Sequence, residues 1–152
     1  MKLAEALAER ADCQKKIDKL KDRLASCARV QEGEQPIEDP TFLLAELRAT
    51  HLKLVDLVKR INRTNATTAF DPGPTLSDAL AQRDHLAALR ASLVRVVDAA
   101  SIRADRMTRS EVKYVSAVPV RELQTEADST AQAHRKLDSR IQEMNWTTEL
   151  LS

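Results

Sequence analysis

In the last third of the chain, mostly hydrophobic residues recur at alternating steps of three and four. These positions are Val120, Leu123, Ala127, Thr130, His134, Leu137, Ile141, Met144, Thr148 and Leu151. The same spacing occurs in the first thirty residues, at Leu3, Ala6, Arg10, Cys13, Ile17, Leu20, Leu24 and Cys27. Such heptads are typical of long helices that pack side by side with other helices.

Glycine, proline and capping residues place the first two helices. The first is predicted over residues 3–30 and ends before the acidic connector 31–36. Asp39 is the expected N-cap of the second helix, with Pro40 at its first position, and this helix continues to about residue 64. Its inner positions are Leu44, Leu47, His51, Leu54, Val58 and Ile61, with Leu43 and Leu57 beside them.

The segment 65–74 contains two prolines that flank a glycine, and it is the clearest break in the chain. Thr75 is expected to cap a third helix, with Asp78 in a variant of the capping box, and this helix continues to about residue 105. The alternation that follows allows a short extended segment near 110–118, and a fourth helix begins at Pro119. The inner positions of the third helix are Leu76, Leu80, Leu86, Leu89, Leu93, Val96, Val97 and Ala100.

The composition supports an all-α fold. With 2 Gly and 3% aromatic residues, the chain lacks the turn and aromatic content that a sheet needs. Its 152 residues suffice for one continuous core but not for two. We therefore predict a single helical domain over residues 1–152, with four long helices in two antiparallel hairpins, as in a coiled-coil-like helical bundle.

Two short segments match each other at an offset of 80 residues. Segments 60–68 and 140–148 are identical at five of nine positions, one Arg, one Ile, one Asn and two Thr. Each segment ends the second helix of a predicted hairpin, so the match arises either by chance or from a duplicated hairpin. In an up-down-up-down arrangement, both segments lie at the same end of the bundle.

Polar residues and the only tryptophan fall in these two segments. We call this set the polar end: Asn62, Arg63, Asn65, Asn145 and Trp146. Because Asn tolerates the left-handed conformation, Asn65 and Asn145 are expected to end their helices. A tryptophan among polar residues is typical of subunit contacts. We expect Trp146 to be shielded from water by residues 64–70 of its own subunit or by a neighbouring chain.

The N-terminal residues and the cysteines indicate a cytoplasmic protein. Four charged residues within residues 5–12 interrupt the apolar core that a signal peptide needs, and no window approaches eighteen apolar residues. Cys13 and Cys27 lie fourteen residues apart on one predicted helix, about 21 Å, so they cannot bridge within it. We interpret them as reduced core residues.

The histidines do not form a recognisable metal site. His51 and His134 fall on predicted inner faces, but a di-iron bundle needs a Glu three residues before each histidine. Arg48 and Ala131 occupy those positions, so we expect buried or half-buried histidines that hydrogen-bond rather than ligands. The chain also has no phosphate-binding loop, no Cys-x-x-Cys and no nucleophile elbow. The sequence therefore predicts no cofactor, no metal and no enzyme activity.

Charge is almost balanced along the chain, with 24 basic and 23 acidic residues. The strongest local excess is a basic stripe of four residues, Arg103, Arg106, Arg109 and Lys113. Asp105 and Glu111 lie between them, so a solvated, salt-bridged surface is favoured over nucleic-acid binding. Neither nucleic acid nor a membrane is the predicted partner.

Several motifs resemble a known family. They are MKLAEALAERAD at residues 1–12, VQEGE at 30–34, EDP at 38–40, INRTN at 61–65, RSEVKYV at 109–115 and RIQEMNW at 140–146. Together they resemble an uncharacterised bacterial helical family, well represented in actinobacteria, whose members are often labelled septicolysin. The resemblance spans essentially the whole chain and implies a helical fold, while the label implies a pore-forming toxin.

The length of the helices predicts self-association. A fourth helix of roughly 33 residues is about 50 Å long and exposes more apolar surface than one partner helix covers. The leading hypothesis is a non-enzymatic cytoplasmic assembly or interaction protein that forms homo-oligomers. A nucleic-acid or acidic-partner binding module using the basic stripe is the alternative, and an enzyme or metal protein using the polar end or the histidines is third.

Overall fold

A computed structural model describes the chain at residues 1–71, 73–101 and 114–152. It contains four helices, α1 (Leu3–Cys27), α2 (Pro40–Thr67), α3 (Leu76–Ala100) and α4 (Val120–Thr147). The described residues contain no strand, and those from 114 to 119 form no regular element. The all-α prediction is confirmed, whereas the part of the possible extended segment before residue 114 lies outside the described residues.

The helices form two hairpins, α1 with α2 and α3 with α4. The hairpins meet where α1 packs on α4 and α2 on α3. A buried core fills this junction, formed by Leu3, Ala6, Cys13, Leu57, Ile61, Phe70, Leu76, Ala79, Ile141 and Leu150. A second buried cluster lies in the outer part of the first hairpin, formed by Leu20, Cys27 and Leu43.

The predicted N-caps of α2 and α3 are confirmed. The Asp39 carboxylate accepts the N–H of Thr41 at 2.9 Å, and Pro40 is the first helical residue. The Thr75 hydroxyl accepts the N–H of Asp78 at 3.2 Å. These contacts satisfy backbone donors that the first helical turn leaves without an internal partner.

The C-terminal ends of α2 and α4 differ from the prediction. Asn65 and Asn145 lie inside their helices, and no described residue other than glycine has a positive φ. The chain instead leaves both helices at a threonine in extended conformation. The N–H of Thr68 donates to the carbonyl of Thr64, and the N–H of Thr148 to that of Met144, both at 2.9 Å. An extended cap needs no left-handed residue, so asparagine is not required there.

The two hairpins are equivalent in detail. Helices α1 and α3 each have 25 residues, and α2 and α4 each have 28. Isolated antiparallel bridges pair Lys2 with Glu149 and Phe70 with Gly73, each between the end of one hairpin and the start of the other. Residues correspond at an offset of 73 between α1 and α3 and of 80 between α2 and α4. The short sequence match is therefore part of a structural repeat.

In α1 and most of α4, the positions predicted to face the core are buried or half-buried. In α2, however, Leu43, Leu57 and Ile61 are buried, whereas Leu44 and His51 are exposed. The adjacent pair Leu43–Leu44 allows two stripes one residue apart, and packing against α1 selects the stripe that contains Leu43. The expectation of a buried or half-buried His51 was therefore wrong.

Three other positions differ near helix ends. Leu151 is exposed and Leu150 is buried, because the chain leaves α4 at Thr148 and alternates faces afterwards. In α3, Val96 is exposed while Val97 lies on the inner side. α1 ends three residues before Val30, which is exposed and has no core to pack against.

Candidate interaction surface

Residues of the polar end do not converge on a pocket. Asn62 and Arg63 are exposed, Asn65 is half-buried and Asn145 is buried. Trp146 is 64% exposed, so residues 64–70 of its own chain do not shield it, and shielding by a neighbouring chain stays a prediction. Since Trp146 is five residues after the buried Ile141, it lies about 140° around α4 from the core.

Arginines near the ends of α2 and α4 hold the chain segments that follow the other hairpin. The Arg60 Nε donates to the carbonyl of Leu151 at 3.0 Å, and Arg63 donates to the carbonyl of Ser152. On the opposite hairpin, the Arg140 guanidinium lies 5.3 Å from the centre of the Phe70 ring. This cation–π contact and the Arg60 hydrogen bond stabilise the junction. These arginines thus have a structural role.

A buried hydroxyl completes this arrangement. Thr64 is fully buried, and its Oγ1 donates to the carbonyl of Arg60 at 2.8 Å. The same oxygen accepts the N–H of Leu151 at 3.0 Å. Because this hydroxyl both donates and accepts a hydrogen bond within the chain, it needs no ligand as a partner.

An open groove of about 430 Å³ lies between α1 and α2, with Cys13 among its lining residues. Two ion pairs cross it, Lys16 to Glu46 at 2.7 Å and Lys53 to Glu9 at 3.1 Å. A side-chain hydrogen bond to Glu9 raises the pKa of Lys53 above its usual value. The charges within each ion pair neutralise each other, and with Asp12 the lining has three acidic and two basic side chains, a formal net charge of −1. The groove therefore has no positive excess to attract an anionic ligand.

The other candidate groups give no site among the described residues. Cys13 and Cys27 are buried and unpaired, as expected of core residues. His134 is half-buried, and the described ranges contain no group of three or more His, Cys, Asp or Glu able to hold a metal. The basic stripe, Arg103, Arg106, Arg109 and Lys113, lies outside the described residues.

Apolar side chains on the outside of the helices are the most prominent surface feature. Fifteen of the 25 residues in α3 are apolar, yet only Leu76 and Ala79 are buried. In α2 the exposed large hydrophobic residues are Phe42, Leu44, Leu52 and Val55. Sequence reasoning missed these α2 residues because it assigned Leu44 to the core and attributed the excess apolar surface to the fourth helix.

No helix in the described parts of the chain is both long and apolar enough to span a membrane. The exposed apolar residues are instead interspersed with charged ones. In α3, for example, Arg90, Arg95 and Asp98 interrupt the apolar positions.

Comparison with known proteins gives a family without an assigned activity. A search of the curated proteins found no match to the chain. Among solved structures, the chain is similar to the crystal structure of a functionally unknown conserved protein from Corynebacterium diphtheriae. The two share 46% sequence identity with a TM-score of 0.93, and the match covers 99% of each chain.

The model of a family of unknown function, DUF6847, matches residues 10–150. The relative from Corynebacterium agrees with the predicted actinobacterial family, whereas neither description supports the septicolysin label. The extent of the family match shows that the chain belongs to this family of unknown function.

Proposed function

We propose that the protein is a non-enzymatic helical assembly protein that acts as one domain and forms homo-oligomers in the cytoplasm. The exposed apolar surface carries this proposal. A helix that is apolar on most sides is normally covered by other helices, and among the described elements α3 packs only on α4 and α2. Large apolar side chains of α2 are exposed as well. Large exposed apolar areas on soluble proteins usually mark protein contacts.

The near-neutral charge of the chain also supports self-association. With a formal net charge of +1, two copies approach without strong mutual repulsion. The polar end around Trp146 is one candidate contact, since an exposed tryptophan is a common anchor in interfaces.

Sedimentation equilibrium tests the proposal directly. At micromolar concentration the protein should sediment at a multiple of 17.0 kDa. A monomer mass at every concentration between about 1 and 100 µM would contradict it. The dissociation constant would then exceed about 100 µM, which is too weak for a stable assembly.

The basic stripe supports one alternative, a module that binds nucleic acid or an acidic partner. The segment from Arg103 to Lys113 contains four basic residues and two acidic ones. Binding to mixed-sequence DNA and RNA separates the two functions. Salt-sensitive binding tighter than about 1 µM that is lost when Arg103, Arg106 and Arg109 are changed to Ala would favour the alternative.

A further inference from the structure

One exposed stripe on α2 has the spacing of a helix contact. Phe42, Ala45, Ala49 and Leu52 follow one another at steps of three, four and three. All four are exposed, Phe42 by 66% and Leu52 by 70% of their surface. This spacing is that of two heptads, and it lies on a different side of α2 from the buried stripe that contains Leu43 and Leu57. We call it the outer stripe.

The structural repeat provides an internal comparison for this stripe. At an offset of 80, its four residues correspond in α4 to Glu122, Thr125, Ser129 and Gln132, all of them exposed. The α4 face therefore has the polar composition of a surface in contact with water. The equivalent α2 face is apolar at every one of these positions, as expected if a partner covers it.

Negative charge precedes the outer stripe, in the connector before α2, and positive charge follows it, in the second half of α2. Before the stripe, residues 32–39 contain four acidic side chains and no basic one. Glu38 pairs with Arg23 and Asp39 caps α2, so Glu32 and Glu34 carry the remaining negative charge. After it, residues 53–63 contain four basic side chains and one acidic residue, Asp56. Lys53 pairs with Glu9 and Arg60 with Asp56, so Lys59 and Arg63 carry the remaining positive charge. The nearest residues of the two regions, Asp39 and Lys53, each lie within about ten residues of the centre of the stripe.

We infer that the outer stripe binds the outer stripe of a second copy, with the two α2 helices antiparallel about a two-fold axis. This inference rests on the proposed self-association and names its surface. Antiparallel pairing places the acidic residues 32–39 of each copy beside the basic residues 53–63 of the other. Parallel pairing would place like charges together. An isologous contact of this kind closes as a dimer and needs no second surface.

Grafting the α4 residues onto α2 tests the apolar part of the contact. The variant F42E/A45T/A49S/L52Q carries on α2 the residues that the repeat already has on α4. All four positions are exposed, so helix content and melting temperature of the monomer should be retained. The expected result is a shift of the mass from dimer to monomer, with the affinity of the dimer weakened at least about 100-fold, as for loss of central apolar contacts.

The matched control changes exposed valines on α3. V94Q/V96Q removes apolar surface of similar kind outside the outer stripe and should leave the dimer mass unchanged. A wild-type dimer that survives the α2 graft would overturn this inference and leave self-association in place. A wild-type protein that is monomeric throughout would overturn the proposed function itself, and the inference with it.

Charge reversal tests the antiparallel orientation. Each of the single variants E34K and K59E should weaken dimerisation by about three- to ten-fold at low salt, since each replaces an attraction with a repulsion. The double variant E34K/K59E should restore most of the affinity, because each reversed group then faces the other across the interface. Additive losses in the double variant would exclude the antiparallel arrangement.

Discussion

The backbone N–H of Leu3 donates a hydrogen bond of 2.9 Å to the carbonyl oxygen of Thr148. Leu76 makes the same contact, also at 2.9 Å, with the carbonyl of Thr68. Residues 69–75 connect the second pair covalently, whereas the first pair joins the beginning of α1 to the end of α4. The start of each hairpin is therefore held by the end of the other in the same way.

This equivalence predicts that a circular permutant will fold. Between Thr148 and Leu3 lie six residues, 149–152 and 1–2, compared with seven in the connector 69–75. Joining residue 152 to residue 1 through one glycine and opening the chain after Asp71 should retain helix content. The melting temperature should change by only a few degrees, because exposed connectors tolerate such changes. Circular dichroism provides both measurements.

The control for this experiment carries the same join but opens the chain within α2, between residues 54 and 55. That cut interrupts a helix next to the buried Leu57, and it should abolish cooperative unfolding. If the connector-opened permutant also fails to fold, the two junction contacts are not equivalent.

The repeat also predicts a partner for Arg10. Its Nε is buried and has no hydrogen-bond partner within the described part of the chain. The equivalent Arg83 has an ion pair with Asp138 at 3.6 Å. At the position that corresponds to Asp138, α2 has the half-buried Val58. Val58→Asp should therefore be tolerated, since the new carboxylate can pair with Arg10.

Chemical denaturation of a double-mutant cycle checks this pairing. The loss in free energy of unfolding caused by Val58→Asp should be about 1 kcal/mol smaller in the wild-type background than in the Arg10→Met background. By contrast, Ile61→Asp, at a buried position on the same helix, should cost several kcal/mol in both backgrounds. A cost of Val58→Asp that is independent of Arg10 would contradict the predicted pair.

Glu149 makes the contact between the chain ends sensitive to pH. A hydrogen bond from Lys2, with Nζ at 2.6 Å, and a second from the amino terminus lower the pKa of Glu149. Since the pKa is lower in the folded state, this contribution is present at neutral pH and is lost as the pH falls through that lowered value. Glu149→Gln should reduce the melting temperature by roughly 2 °C at pH 7.

The difference in melting temperature between wild type and Glu149→Gln should be smaller at about pH 2.5 than at pH 7, because the carboxylate loses its charge as the pH falls through its lowered pKa. Glu126→Gln, at an exposed α4 position, controls for the general loss of one negative charge. An equal difference at both pH values would show that Glu149 acts through packing.

Trp146 fluorescence separates the two candidate contacts. As the sole tryptophan, it is exposed on α4, whereas the outer stripe is on α2. If the outer stripe forms the dimer, emission should be red-shifted and open to acrylamide in both the wild type and the α2 graft. A blue-shifted, protected emission in the wild-type oligomer would instead place the polar end in a subunit contact.

The number of helices and their starts could be predicted from the sequence because the responsible interactions are local. Asp39 and Thr75 cap the helices that follow them within three residues, and heptad spacing brings apolar side chains to one side of α1 and α4. Neither effect depends on which helices lie next to each other.

Tertiary structure decided what depends on neighbours. The choice of Leu43 over Leu44 for the core follows from the position of α1. Trp146 is exposed because it lies on a side of α4 that points away from the core. Pattern alone also could not distinguish the buried stripe of α2 from its outer stripe, since both have helical spacing. Only the packed structure shows which stripe faces the core of its own chain and which remains uncovered, because that difference is set by the partners of a helix and not by its own residues.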